Sequence, residues 1–218
     1  MHRAHTSPAA AIAASVRAAG LPRKAQLRNG VAIRIRPVRP DDARRFNAFI
    51  CKLSVASRGC RFHGDIGAIG DCAPATLQRL VAADGVRQVA FIATLPCADG
   101  EEVIGEARYC VGADADRVEL AITVADAWQG QGMADLLLDS LLEAARDAGV
   151  RWIYGEVGAS NTRMIGFLHR MGFQTCAQGS GHEVVRIERG VAPRLPRAGQ
   201  RPAGALRRWL LDQFASLA

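Results

Sequence analysis

Between residues 117 and 148 the hydrophobic period of the chain changes once, from two to about 3.6, across a turn that holds two glycines two positions apart. Residues 117–124, RVELAITV, alternate as a half-buried strand does, with Val118, Leu120, Ile122 and Val124 on one face and Glu119, Ala121 and Thr123 on the other. From Gln131 onward Leu137, Leu138, Leu141, Leu142, Ala145 and Ala148 recur at helical spacing, and Gly149 is placed to end the helix. The link is Ala125-Asp126-Ala127-Trp128-Gln129-Gly130-Gln131-Gly132. Glycines let the backbone bend and approach a ligand closely, and the unpaired N–H groups of a first helical turn point outward with the positive end of the dipole. A pyrophosphate suits such a position. The chain has no G-x-x-x-x-G-K-[ST] loop and no full G-x-G-x-x-G after the strand, which argues against a nucleoside triphosphate or a dinucleotide.

The flanking sequence supplies further alternation of strands and helices. Residues 31–36 alternate as a strand, and Arg39-Pro40-Asp41-Asp42 starts a helix expected to run to about Leu53. Residues 54–75 have no clean period and are expected to be loop, with a short helix over 76–83. Two strands, 86–95 and 103–111, form a hairpin around Asp99-Gly100. After the long helix come a strand at 152–157, a helix from Ser160 or Asn161 to Met171, and a final strand pair around Gly179-Ser180-Gly181. These elements predict a single α/β domain with a mixed, largely antiparallel sheet flanked by helices.

At 218 residues the chain accommodates one ordinary domain, and no apolar run approaches the roughly 20 residues of a membrane-spanning helix. The net charge of +7 looks like a nucleic-acid signature until it is mapped. Residues 29–190 hold 18 Lys and Arg against 20 Asp and Glu, so the excess lies in the two ends. We therefore expect residues 1–28 to be a disordered basic tail, 29–190 the domain, and 191–218 a basic linker with a short helix around Trp209, with no specific nucleic-acid partner. Six scattered cysteines make no C-x-x-C pair and find no paired histidines, so no metal is expected and the thiols are expected to be reduced, in a cytoplasmic protein. The short Ala9–Ala14 run, broken by Ser15 and Arg17, argues against a secretory signal and leaves a transit peptide as the alternative.

Gln129-x-x-Gly132-x-Ala134 resembles the coenzyme A-binding signature of the GNAT acetyltransferases: Gln or Arg, two residues, Gly, one residue, Gly or Ala. Trp128 before it and Met171-Gly172-Phe173 after the next helix are similar to the family's flanks. Leu53-Ser54-Val55-Ala56-Ser57-Arg58-Gly59-Cys60-Arg61-Phe62 and Gly155-Glu156-Val157 with Asn161 and Met164 resemble segments of bacterial protein-lysine acetyltransferases. The resemblance covers about residues 31 to 188.

It implies the GNAT-type fold and acetyl-CoA as cosubstrate. Ile122 and Val124 are then expected to hold the pantetheine arm through their backbone. Gln129, Gly130, Gln131, Gly132, Met133 and Ala134 cradle the pyrophosphate, and Asn161 touches the arm or caps its helix. Glu119 matches the family glutamate that serves as general base, with Glu156 as a second base, an ammonium anchor or a structural acceptor. Arg58 and Arg61 are candidates for lining the acceptor side. A tyrosine that protonates the leaving thiolate in many family members is replaced here by Leu168, and His169 beside it is read as a helix-surface residue. The implied reaction is N-acetylation of a protein lysine or of a small amine. A non-catalytic CoA-sensing protein is the remaining alternative.

Overall fold

A computed structural model describes residues 22–62, 73–98, 100–112, 116–176 and 183–192. The expectations for residues 1–21, for the C-terminal linker and helix beyond 192, and for the Gly179-Ser180-Gly181 turn lie outside these described residues. Among the described residues eight strands form one sheet: β1 (Arg23–Gln26), β2 (Ala32–Pro37), β3 (Gln88–Cys97), β4 (Gly100–Val111), β5 (Arg117–Val124), β6 (Trp152–Gly158), β7 (Gln174–Thr175) and β8 (Val184–Gly190). Their order is β1-β2-β3-β4-β5-β6-β8-β7, antiparallel at every step except between β5 and β6. The same residues include the α-helices α1 (Ala43–Lys52), α2 (Val55–Phe62), α3 (Pro74–Val81), α4 (Met133–Asp147) and α5 (Thr162–Arg170). The predicted α/β class with a largely antiparallel sheet is therefore the observed one.

Period two on the strands divides the core in two. Val89, Phe91 and Ala93 of β3 join the Leu137, Leu138 and Leu141 stripe of α4 on one side, while Ala90 and Ile92 meet Phe46, Phe49 and Ile50 of α1 on the other. Each fully buried leucine on the α4 stripe contributes roughly 1.5–3 kcal/mol. At the β2 edge Arg36 is buried, and its guanidinium donates to both oxygens of Asp42 at 2.7 Å and to Glu101 at 2.9 Å, tying the start of α1 to the β3–β4 hairpin.

Two expectations need correcting. The domain does not start at Asn29: residues 23–26 already form an edge strand, paired Arg23 to Ile35 through Gln26 to Ala32, and Leu27 is buried in the core. RKAQ has no apolar alternation, because an edge strand with solvent on one side is held by backbone pairing. The overlooked signal was Asn29-Gly30, a hairpin dipeptide whose glycine adopts φ 84°. The second correction is α2, where loop was expected. It buries no residue, and Ser54 Oγ caps it by accepting from the Ser57 N–H at 3.1 Å.

Candidate active site

Strands β5 and β6 run parallel and pair over only three residues, Arg117 with Trp152 to Glu119 with Tyr154. Beyond that point they separate. The gap is a cleft of about 570 Å³, lined by residues 119–124 of β5, 155–158 of β6, the turn before α4, and parts of α2 and α5. The direction of the β5 backbone follows from two hydrogen bonds. The Ala125 N–H donates to Ile104 O across on β4 at 2.9 Å, whereas Val124 O accepts from Gln129 Nε2 at 3.2 Å. With period two, Leu120, Ile122 and Val124 turn their backbone groups away from β4 and toward the cleft. Accordingly, a Cβ on Gly155 of β6 would stand 3.6 Å from Leu120 O. An open strand edge of this kind offers amide groups to an extended ligand.

At the wide end of the cleft a short 3-10 turn, Asp126–Trp128, leads into Gln129 and Gly130. Gly130 and Gly132 lie at φ 77° and 84°, left-handed values that a side chain disfavours, and α4 starts at Met133. Met133 is 1% exposed, and its sulfur would lie only 2.7 Å from a Cβ on Gly105 of β4, so its side chain belongs to the core. Only its backbone can serve a ligand. Among the described residues the helix start has no side-chain cap bond, which leaves its amides to solvent or an anion.

The turn is braced from three directions. Asp126 accepts from the Ser54 N–H and Ser54 Oγ at 2.8 Å and from Ser57 Oγ at 2.7 Å. Partial burial pushes its carboxyl up, but these hydrogen bonds outweigh that and hold it below its ordinary range. Gln129 Oε1 accepts from Arg163 of α5 at 3.0 Å. The Arg28 N–H donates to Gln131 O at 3.0 Å, and the Arg28 side chain lies against Gly132.

Of the residues singled out in the sequence, Glu119, Ile122, Val124, Gln129, Gly130, Gly132, Met133, Ala134, Glu156 and Asn161 all line the cleft, and Gln131 does not. Asn161 Oδ1 accepts from the Met164 N–H at 3.1 Å, so the cap role is met and its amide NH₂ is the group left for a ligand. Glu119 and Glu156 are exposed at the narrow end, on neighbouring strands. Leu168 also lines the cleft but is 2% exposed and has no proton to give. His169 contacts Thr175 Oγ1 at 2.9 Å at the surface.

Arg58 and Arg61, both on α2, have structural partners. Arg58 donates to Leu53 O at 2.9 Å, closing the C-terminus of α1. Arg61 both lines the cleft and donates to Glu106 at 2.9 Å. Glu106 is 1% exposed between Arg61 and Arg108, 2.6 Å from the latter. Burial alone would raise its carboxyl, but Arg108 and Arg61 hold it below the usual range. Cys110, cross-strand partner of Glu119, has its thiol pushed up by burial, with the Glu119 charge adding to the effect, so it is a poor thiolate nucleophile.

Sequence reasoning missed Arg28, Arg163, Arg170 and Thr123, which also line the cleft. Arg28 was hidden in what looked like a tail. Thr123 sat on the strand with nothing to mark it.

Residues 72–173 match the acetyltransferase (GNAT) family. The chain is 36% identical over 148 residues to Acetyltransferase PA5475 of Pseudomonas aeruginosa, covering 67% of this chain and 77% of that protein. Among solved structures it resembles the GNAT domain of S. lividans PAT at 31% identity and TM-score 0.69, over 77% of this chain and 96% of that one. It also shares its fold with yncA of Salmonella typhimurium, solved with its cofactor acetyl-CoA, at 17% identity and TM-score 0.58, over 77% and 99% of the two chains. The chain belongs to the GNAT acetyltransferase family. It is an acetyl-CoA-dependent N-acetyltransferase, acting on an amine acceptor. Among the described residues no helix is long and apolar enough to cross a membrane.

Proposed function

We propose that this enzyme acetylates lysine side chains of proteins in the cytoplasm, holding acetyl-CoA in the β5–β6 cleft with the pyrophosphate at the 129–134 turn. The observation that carries the reading is the spacing along the cleft: the turn lies at one end and the exposed carboxylates of Glu119 and Glu156, on neighbouring strands, lie toward the other. The arm of the cofactor lies between, along the open edge of β5. The likeness of residues 53–62 and of Gly155-Glu156-Val157 with Asn161 and Met164 to segments of bacterial protein-lysine acetyltransferases supports a protein acceptor.

A lysine ammonium with a pKa near 10.4 is almost wholly protonated at neutral pH and cannot attack until it loses a proton. Glu119 takes that proton, directly or through water, and Glu156 draws in the ammonium. The neutral amine adds to the thioester carbonyl, the adduct's nitrogen gives up its extra proton to water, the adduct collapses, and the CoA thiolate leaves. Leu168 cannot protonate the thiolate, so solvent does. Arg28 and Arg163, flanking the turn, add positive charge beside the phosphates.

Labelled acetyl-CoA offered to cell-extract proteins and to a panel of small amines tests the acceptor. Transfer to protein lysines is expected. Transfer to small amines alone would replace the protein acceptor with a metabolite, and cofactor binding without any transfer would favour a sensing role.

A further inference from the structure

Among the described residues three buried side-chain polar atoms find no hydrogen-bond partner: Arg23 Nε, Tyr109 Oη and Thr123 Oγ1. Arg23 is still anchored, since its NH2 donates to Leu136 O at 2.7 Å. Tyr109 is enclosed in the core and does not line the cleft. Thr123 alone of the three is both orphaned and part of the cleft wall, although it is only 7% exposed. Its cross-strand neighbour Glu106 makes no hydrogen bond to it, and its carboxylate instead accepts from Arg61 on one oxygen and from Arg108 on the other.

A buried hydroxyl without a partner destabilises the fold, and valine has the same shape and favours a strand at least as well. A threonine here has no structural justification that valine would not meet better. Its position along β5 suggests what it serves. Thr123 stands one residue before Val124 and the start of the turn, and four residues, about 13 Å, from Glu119. It therefore flanks the stretch between pyrophosphate and thioester, where the cofactor presents amide groups.

Resting on the cleft being the acetyl-CoA site, we propose that the Thr123 hydroxyl is a cofactor-binding group that donates a hydrogen bond to an amide carbonyl of the pantetheine arm. Backbone groups of Ile122 and Val124 hold the arm along the strand edge, and Thr123 adds a side-chain contact that fixes its register. The hydroxyl is unpaired in the free enzyme and becomes satisfied on binding, so its interaction acts on affinity and not on folding.

Thr123→Val and Thr123→Ser separate the possibilities, measured by thermal unfolding of the free protein and by calorimetry with acetyl-CoA and with adenosine bisphosphate, the nucleotide end of the cofactor without its arm. For T123V we expect an unfolding temperature equal to or above that of the wild type. Its Kd for acetyl-CoA should rise about five- to fifteen-fold, while the affinity for adenosine bisphosphate stays unchanged. T123S should bind close to wild type. Unchanged acetyl-CoA affinity in T123V, an equal loss with both ligands, or a lowered unfolding temperature in T123V would each overturn the proposal. Wild-type protein that failed to bind acetyl-CoA would instead overturn the cleft assignment on which it rests.

Discussion

In the proposed mechanism the proton that an attacking amine must shed falls to Glu119. The proposed cofactor contacts are backbone groups of β5 and the turn, atoms that a Glu119→Gln change leaves in place. Acetyl-CoA affinity should hardly move, while turnover at neutral pH should fall by about 10²- to 10⁴-fold, the usual contribution of a positioned base. Alkaline buffer deprotonates more of the free amine, so the deficit should shrink as pH rises. A rate profile that ran parallel to the wild type at every pH would remove Glu119 from the mechanism and promote Glu156. Glu106, buried beneath the same face, is a residue of stability and not of proton transfer. Replacing it with Gln strands Arg61 and Arg108 beside an uncharged group, for a loss of about 3–5 kcal/mol at neutral pH. Its folded pKa is depressed, so its contribution is complete above the unfolded carboxyl range, near about 4.3, and is lost as pH falls through the folded value. Denaturant unfolding of E106Q should thus show a gap to wild type that narrows in acid; a constant gap would argue against an ionised Glu106.

The turn between β5 and α4 is an element whose function depends on backbone conformation. Gly132 sits in a left-handed conformation against the Arg28 side chain, so a Glu there meets strain, crowding and a carboxylate placed where phosphates are expected. Gly132→Glu should abolish measurable acetyl-CoA binding while circular dichroism stays native. Wild-type affinity in that folded variant would put the cofactor elsewhere. The Leu53–Phe62 segment shows how an element was misjudged. Its serines and arginines suggested an acceptor loop. They instead cap α2, close α1, and reach Asp126 at the base of the turn. Those partners are 72 and 69 residues away in sequence, beyond anything a local pattern conveys.

Across the whole molecule the N-terminal boundary matters most. Strand β1 carries Leu27 into the core and Arg28 to the turn, so the domain includes residues that composition assigned to a tail. Deleting residues 1–28 should lower stability by several kcal/mol, since it bares the β2 edge and removes a buried leucine worth about 1.5–3 kcal/mol by itself, and should weaken acetyl-CoA binding. Deleting only residues 1–21 should leave both unchanged. Equal unfolding midpoints for the two truncations would mean that β1 contributes nothing.

The α/β alternation, the long helix at residues 133–147, the strand at 117–124 and the Gly-containing turn between them were legible in the sequence, because period and glycine placement are local properties of the chain. The candidates Glu119, Glu156 and Asn161 came from the resemblance to the family, and all three line the cleft. The cleft itself was not legible. It exists because β5 and β6, whose first paired residues Arg117 and Trp152 lie 35 positions apart in the sequence, pair for three residues and then diverge, a relation between strands that no single segment encodes. The same holds for Arg28 beside Gly132, for the Glu106 pair with Arg61 and Arg108, and for the orphaned hydroxyl of Thr123. Each depends on which side chains meet across the sheet, and only tertiary packing decides that.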